Sequence, residues 1–363
     1  MMGGRLDRYL AFRFLRTIIV SVASFVIVFV SVDAFDHFSR WVDRDVSIAT
    51  FLRYYFYGLP YIIVLVLPVA VLLSSLFLVT SLSRRNELVA MRGAGISIPR
   101  ILLPLFAIGA LASLFELGVG DFVVAEASYR QSVVKREVID RLEPVNYSMR
   151  NDFAWKSPTG AILDIGFYNG QTAVMSDVTI EWLDDSARIT RRMDMDRMIW
   201  VDSSWTAVGA VERIFGPSGA LVYTEGDTLP VLGILETPTD FATRQKATTE
   251  MNFFELRAYI AKVEAAGGDA RGDLVELFLK LLFPISNLIM VLVGAPLALR
   301  NSKAGKASGI GLAILLAFIF FSLLRFGQTL GHNGALPPLV AASLADVVFI
   351  IIGLMLLARV SRT

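Results

Sequence analysis

Hydrophobic runs in this chain fall into two groups, separated by a long and more polar block. About three runs lie before residue 126 and about three follow residue 272. Each run is long enough for one span, because a helix needs roughly 20 apolar residues to cross a hydrocarbon core of about 30 Å. The pattern predicts six membrane-spanning helices, at 14–36, 54–82, 101–125, 273–299, 308–330 and 338–358.

The block between the two groups has the alternating pattern of β-strands. Turn signals such as Asn169-Gly170 separate segments rich in β-forming residues. Even spacing without intervening helices is typical of a sandwich or a jelly roll. The predicted strands lie at 161–165, 174–182, 193–196 and 207–215.

Helices flank this predicted β-domain on both sides. Residues 126–145 read as a helical continuation of the third span, and a further helix is predicted around 252–266. The expected fold is therefore a membrane α-helical bundle of the 3+3 type with an inserted all-β, jellyroll-like domain. The predicted domains are 1–125, 126–272 and 273–363.

Positive charge marks one side of the predicted membrane domain. The block 126–272 carries 16 Lys/Arg against 22 Asp/Glu, a balance of −6, whereas the whole chain has a net charge of +1, so the remaining segments carry +7. By the positive-inside rule the basic loops at 83–100 and 300–307 and both termini are cytoplasmic. The block 126–272 is then outside, which is the periplasm in a Gram-negative cell.

The N-terminal run superficially resembles a signal peptide, because arginines precede its apolar stretch. The stretch Thr17–Val32 lacks a small-residue cleavage site and continues into Asp33. We interpret it as an uncleaved first span, and a cleaved signal peptide is the alternative.

Several kinds of chemistry are excluded by composition and missing motifs. The chain has no cysteine and two histidines, so it has neither disulfides nor a His-rich metal site. It lacks the GxxxxGK[ST] phosphate-binding loop, the HExxH motif and the GxSxG elbow. We therefore expect a subunit without enzymatic activity of its own and without a cofactor.

The loop after the second span contains a short amphipathic segment. Leu88, Met91 and Arg92 recur at helical spacing with Glu87 nearby, and glycines at 93 and 95 are expected to end the helix. Such a helix on the cytoplasmic side is suited to docking in a groove on a soluble partner. An ordinary solvated loop, held inside by its arginines, is equally consistent with the pattern.

Two stretches of this chain resemble the lipopolysaccharide-export permease family LptF/LptG. The first runs from Leu67-Pro68-Val69-Ala70 into Asn86-Glu87-Leu88-Val89-Ala90-Met91-Arg92-Gly93-Ala94-Gly95-Ile96-Ser97. The second comprises Gly294-Ala295-Pro296-Leu297 and Gly331-His332-Asn333-Gly334-Ala335-Leu336-Pro337-Pro338. The segment Tyr54–Tyr61 favours the LptG type over the LptF type.

The resemblance implies a permease subunit of an ABC exporter that extracts lipopolysaccharide from the inner membrane. Its implied partners are a cytoplasmic ABC ATPase dimer, a paired permease of the same family, a periplasmic jellyroll protein and a single-span regulator. The β-domain is expected to pass lipid to the jellyroll bridge. Spans one and five are expected to form the gate.

The resemblance also suggests site residues. A coupling helix at about 84–95 relays the ATPase motion, and Glu87 matches the acidic docking position of the family. The implied coupling residues are Arg84, Arg85, Glu87, Leu88, Met91 and Arg92.

Lipopolysaccharide carries phosphates near its lipid anchor, so basic residues at the outer membrane edge are candidate ligands. They are His37, Arg40, Arg44, Arg53 and Arg325. Some relatives carry a lysine where this chain has Asp33, which weakens the expectation of phosphate binding at that point. Interface anchoring is the alternative role of the arginines.

Ionisable residues inside the predicted spans need partners. Lys280 is predicted to pair with Glu276 one turn earlier. Arg325 is a candidate partner for Glu116 and Asp121, whereas Asp346 has no evident role.

Two rival functions remain open. One is an ABC-type mechanotransmitter, which relays ATPase motion to a periplasmic partner without moving lipid; its usual layout of about four spans disagrees with a 3+3 arrangement. The other is a membrane-anchored enzyme acting on envelope glycolipid, for which the sequence has no catalytic constellation.

Overall fold

The computed structural model describes residues 4–139, 149–184, 188–216, 221–242, 246–265, 269–300 and 306–361 of the chain. Most of the predicted basic loop at 300–307, and the end of the predicted helix at 126–145, lie outside these residues. The chain forms two compact units. The first comprises Met1–Arg141, Thr248–Phe253 and Arg271–Thr363, and the second comprises Leu142–Ala247 and Phe254–Ala270.

The N-terminal part of the first unit is helical throughout. A π-helical segment, Glu116–Gly120, joins the fifth helix to the sixth, and a second one, Val134–Ile139, follows the sixth. The predicted helical continuation of the third span is therefore present as far as residue 139. The helices are α1 (Arg5–Asp36), α2 (Phe38–Asp43), α3 (Ile48–Arg84), α4 (Glu87–Gly93), α5 (Ile98–Phe115) and α6 (Asp121–Val133).

The second unit is built on one antiparallel sheet of six strands whose spatial order follows the sequence. The sheet is not closed. Two of its strands, the first and the last, were not predicted from the sequence. The strands are β1 (Met149–Lys156), β2 (Ile162–Asn169), β3 (Val174–Leu183), β4 (Ile189–Val201), β5 (Ser204–Phe215) and β6 (Leu221–Pro230).

The segment that follows β6 covers one face of the sheet and completes its core. It contains α7 (Pro238–Phe241), and α8 (Phe253–Ala265) comes later in the chain. Phe241 is fully buried, with its ring 5.8 Å from that of Trp205 and 4.9 Å from that of Trp155. The alternating inward positions of β2 to β5 therefore pack against their own C-terminal extension.

A buried carboxylate fixes this extension to the sheet. Glu236 is only 6% exposed and accepts hydrogen bonds from Trp155 Nε1 (2.9 Å) and Ser157 Oγ (3.1 Å). Its backbone carbonyl accepts from Trp205 Nε1 (2.6 Å). Because a buried carboxylate without donors is strongly unfavourable, these bonds specify where the extension lies.

A second carboxylate organises the polar side chains of β3, β4 and β5. Asp194 accepts hydrogen bonds from Arg192, Thr179 and Arg213. Burial raises the pKa of the Asp194 carboxyl, but the hydrogen bonds from Arg192 and Thr179 outweigh it and hold the pKa below its ordinary value. The folded state therefore favours the ionised form.

The remaining helices return the chain to the first unit. A 3₁₀ turn, Phe283–Ile285, interrupts the fourth span between two of them. They are α9 (Arg271–Leu282), α10 (Ser286–Arg300), α11 (Lys306–His332) and α12 (Pro338–Ser361).

Six helical stretches in the described part of the chain are long and apolar enough to cross a membrane. The prediction of a helical membrane bundle with an inserted β-domain is thereby confirmed. We number these stretches as spans one to six: Arg5–Asp36, Ile48–Arg84, Ile98–Gly118, Arg271–Arg300, Gly309–His332 and Pro338–Arg359.

Spans two and four form the centre of the bundle. They approach closely at Gly294, where an added Cβ would lie 3.0 Å from the side-chain carbons of both Leu72 and Ser75. Small residues permit such contacts between membrane helices. At the end of the bundle where α1 begins, Arg100 donates to both carboxylate oxygens of Asp7 at 2.7 and 2.8 Å, which ties α1 to α5.

We predict that Glu236→Ala destabilises the β-domain by about 3 kcal/mol, because two buried hydrogen bonds to a charged acceptor are lost. The free energy of unfolding can be measured for the full chain in detergent by denaturant titration, followed by tryptophan fluorescence. Glu225→Ala is the matched control, because its carboxylate accepts a bond from Tyr223 at an exposed site. Equal effects of the two substitutions would contradict the anchoring role.

Asp194 is expected to make the β-domain sensitive to acid. Since its pKa is lowered in the folded state, its contribution to stability is full above the unfolded value of about 4 and is lost as pH falls through the folded value. Asp194→Asn should lower the midpoint temperature of unfolding at pH 7. It should also reduce the difference between the midpoint temperatures at pH 7 and pH 3. Asp164→Asn, at an exposed position on β2, should leave that difference unchanged.

Candidate functional sites

A helix of two turns, α4, lies within the segment 84–95 that was predicted to be a coupling helix. It begins after Asn86, which has a left-handed φ of 59°, so the chain turns sharply at the end of α3. Arg84 and Arg85 precede this turn rather than belonging to α4. Met91 is 9% exposed and Leu88 packs against the same bundle core, so the apolar side of α4 lies on the bundle.

Glu87 connects α4 to α1. Its carboxylate accepts a hydrogen bond from the Tyr9 hydroxyl (2.8 Å) and from Arg13 Nη1 (3.1 Å). Arg13 also donates to Ser81 Oγ on α3 (2.7 Å). The side chain that the resemblance assigns to partner docking is therefore engaged with the first span.

The other side of α4 faces solvent. Val89 is 64% exposed, and Arg84, Arg85 and Arg92 are exposed close to it in sequence. Sequence reasoning missed Val89, although its position one residue beyond Leu88 turns it about 100° away from that residue around the helix. An exposed apolar side chain within a basic rim is a suitable surface for a protein partner.

An apolar groove lies where α1, α2 and α3 meet. Its volume is about 600 Å³. Several of its aromatic and aliphatic side chains are strongly exposed, including Phe35 at 79% and Phe38 at 61%. Further lining residues are Val30, Trp41, Val42, Val46, Ile48 and Phe51.

One wall of this groove is rigid because its aromatic rings support each other. The Trp41 ring lies 5.3 Å from that of Phe51 and 5.2 Å from that of Tyr54. The Tyr55 hydroxyl donates to Asp33 Oδ2 at 2.7 Å, which joins α3 to α1. Asp33 thus accepts a hydrogen bond within the bundle.

Three of the predicted lipid-contacting residues lie on or beside α2, next to the groove. His37 Nδ1 lies 2.8 Å from the Asp33 carbonyl oxygen. Arg44 Nη1 donates to the carbonyl of Ile139 at 3.3 Å. Arg40 belongs to α2, and its side chain lies outside the described part of the structure.

The remaining two predicted residues are set apart from α2. The Arg53 guanidinium lies 5.8 Å from the ring centroid of Tyr57, one turn later on α3. Arg325 is an exposed residue of α11 and donates to Gln328 Oε1 at 3.0 Å. Neither residue lines the groove.

The charges inside the spans pair differently from the prediction. Lys280 Nζ contacts Asp121 Oδ1 at 2.7 Å, so the predicted pair between Lys280 and Glu276 is wrong. Glu276 Oε1 instead lies 3.3 Å from His332 Nε2. The predicted pairing of Arg325 with Asp121 is also wrong.

Glu116 was likewise suggested as a partner of Arg325, and that suggestion is wrong too. Its carboxylate accepts a hydrogen bond from Asn287 Nδ2 at 2.7 Å. Asp346 is 8% exposed on α12. Among the residues that the structure describes, no group of three or more histidine or acidic side chains is arranged to hold a metal ion.

Comparison with known protein families gives a match that covers nearly the whole chain. Residues 8–359 match the family described as the lipopolysaccharide export system permease LptF/LptG. No curated protein matches the chain. The match includes all six spans apart from the first residues of span one, and it includes the inserted β-domain. The chain therefore belongs to the LptF/LptG family of lipopolysaccharide export permeases, which are multi-pass proteins of the inner membrane.

Proposed function

We propose that this chain is the lipid-moving half of an ABC exporter, paired with a second permease of its family and driven by a separate cytoplasmic ATPase dimer. The family match over residues 8–359 carries this proposal. The chain has no phosphate-binding loop, so the energy of ATP hydrolysis has to enter through a contact with the partner. Its LptG-like rather than LptF-like identity remains a prediction from the segment 54–61.

The proposed contact with the ATPase is the exposed side of α4. Val89 would insert into an apolar depression on the partner, and Arg84, Arg85 and Arg92 would face acidic groups at its edge. Leu88 and Met91 would act from the buried side, by keeping α4 seated on the bundle. Glu87 would pass the motion to span one through Arg13.

The proposed lipid path begins at the groove between α1, α2 and α3. Its apolar lining suits an acyl chain, because apolar surface gains about 25 cal/mol per Å² when removed from water. His37, Arg40, Arg44 and Arg53 would meet the phosphates of the headgroup beside it. Arg325, on span five, would meet them from another side.

The proposed recipient of the lipid is the β-domain. In this arrangement both termini are cytoplasmic and residues 126–272 are periplasmic, as the distribution of basic residues favours. The sheet is not closed, so β1 and β6 offer edges to which a strand of a periplasmic jellyroll protein can be added. A single-span regulator is a further proposed partner in the membrane.

We predict that Arg13→Gln weakens coupling between ATP hydrolysis and export. The amount of lipopolysaccharide released per ATP should fall about fivefold, corresponding to ~1 kcal/mol, because α4 loses its ion pair with span one and keeps the Tyr9 hydrogen bond to Glu87. The measurement uses the reconstituted complex in proteoliposomes, with ATPase and release assays run in parallel. Arg16→Gln, an exposed arginine on the same helix, is the matched control.

A charge swap tests whether this ion pair itself is responsible. The double variant Arg13→Glu with Glu87→Arg should recover part of the release that either single variant loses. Equal loss in Arg13→Gln and Arg16→Gln, or no recovery in the swap, would count against transmission through this pair.

A photo-crosslinking probe at Phe38 tests the lipid path. Phe38 lines the groove and is 61% exposed, whereas Phe12 is 69% exposed on α1 and does not line it. We expect lipopolysaccharide adducts at Phe38, but few at Phe12, when the ATPase is active. Adducts of equal yield would indicate general contact with the bilayer. No adduct at Phe38 in an assembled, ATP-hydrolysing complex would favour a mechanotransmitter that moves no lipid.

A further inference from the structure

Four polar oxygens deep in the bundle have no hydrogen-bond partner among the described residues. They belong to side chains that are between 0% and 8% exposed. Since the hydrocarbon region offers no water to an orphaned polar group, such a cluster requires a partner. The atoms are Ser113 Oγ, Glu116 Oε1, Ser286 Oγ and Asn287 Oδ1.

These oxygens lie on two neighbouring spans that pack face to face. Asn287 Nδ2 donates to Glu116 Oε2 at 2.7 Å, so the orphaned oxygens of these two residues belong to side chains in direct contact. Ser113 precedes Glu116 by three positions and therefore shares its side of the helix. Gly109, one turn earlier, faces the same neighbour, because a Cβ added there would lie 3.6 Å from the carbonyl oxygen of Asn287.

Both helices are irregular at this level. The π-helical segment Glu116–Gly120 begins at the carboxylate in span three, and the 3₁₀ turn Phe283–Ile285 ends just before Ser286 in span four. Interrupted helices within membranes redirect backbone carbonyls and commonly mark ion sites. The two interruptions are independent of the orphaned side-chain oxygens and occur at the same place.

Two other acidic side chains of this unit that are largely shielded from solvent have a basic partner. Asp7 pairs with Arg100, and Asp121 pairs with Lys280. No lysine, arginine or histidine in the described part of the chain forms an ion pair with Glu116. Asp346 is also buried, at 8% exposed, but neither of its carboxylate oxygens is among these orphaned atoms.

We propose that a monovalent metal cation, Na⁺ or K⁺, binds between spans three and four. The carboxylate of Glu116, the amide oxygen of Asn287 and the hydroxyl of Ser113 would be ligands, and the hydroxyl of Ser286, next to Asn287 on span four, would be a further one. All are oxygen donors, which hard cations prefer. A single charge is expected because one carboxylate neutralises it, whereas a divalent ion would leave excess charge in the bundle.

The test is a cation-dependent stability measurement on the purified full-length chain in detergent. Thermal midpoints are compared in NaCl, KCl and N-methylglucamine chloride at equal ionic strength. We expect a saturable rise of about 3 °C in one of the two metal salts. Glu116→Gln, which keeps an acceptor for Asn287 but removes the charge, should abolish that rise.

A pair of serine substitutions provides the matched control. Ser113→Ala removes a proposed ligand and should raise the half-saturating cation concentration about tenfold, whereas Ser74→Ala should leave it unchanged. Ser74 is equally buried, but its hydroxyl donates to Ser21 Oγ in another part of the bundle. If Glu116→Gln fails to fold, the comparison of Ser113→Ala with Ser74→Ala still tests whether the cation binds at this cluster.

Two results would overturn the proposal. Identical midpoints of the wild-type chain in all three salts would mean that a bridging water or a proton on Glu116, rather than a metal cation, satisfies the cluster. If the cation still raises the thermal midpoint of Glu116→Gln by the full amount, the cation binds elsewhere in the chain. The same conclusion follows if Ser74→Ala and Ser113→Ala change the half-saturating cation concentration equally. Neither result depends on the chain's role in lipid export.

Discussion

The absence of water in the hydrocarbon core is the constraint on which this bundle depends. A polar side chain placed there has to find its partner on another helix, so each pair fixes two helices relative to one another. Arg100 with Asp7 ties α5 to α1 at one end of the bundle. Lys280 with Asp121 ties α9 to α6, beyond the π-helical segment of the third span. Between such pairs the helices pack through aliphatic side chains, which by themselves specify less strongly which helices are neighbours.

The same constraint explains which features the sequence predicted. Membrane spans are recognised from hydropathy because the free energy of inserting an apolar helix depends mainly on its own composition. All six spans could therefore be located before their packing was known. The partner of Lys280 could not, because helical spacing reveals only neighbours on the same helix, and Asp121 is 159 positions away.

The β-domain also has features that could not be predicted from the sequence. The four central strands alternate clearly, whereas β1 begins with three polar residues in a row after Met149, and β6 contains Gly226 and ends at Pro230. Edge strands of this kind are defined by their pairing, here Trp155 with Leu163 and Ala207 with Leu229, more than by their own composition. The burial of Glu236 was equally hidden, because its donors come from strands far away in the chain.

For the candidate coupling element, the sequence predicted the helix but not the side that faces outward. A segment of two turns with leucine, valine and methionine can present either apolar side, and the choice is made by the bundle core, which takes Leu88 and Met91 and leaves Val89 exposed. The resemblance likewise implied that Glu87 docks a partner, but it did not indicate which residues of this chain contact Glu87. Tyr9 and Arg13 lie 78 and 74 positions earlier in the chain than the carboxylate they contact.

Through that contact, α1 links α4 to the groove. The helix runs without interruption from the residues that hold Glu87 to Phe35 at the groove, a distance on the order of 30 Å between Arg13 and Phe35. A continuous helix bends little over that length, so a displacement of α4 changes the position or tilt of α1 at the groove rather than being absorbed locally. Asp33 and Tyr55 join α1 to α3 close to the groove, so a shift of α1 has to strain or break their hydrogen bond. The groove and α4 thus contact opposite ends of one continuous helix, so the proposed transport function needs no longer chain of side-chain contacts between them.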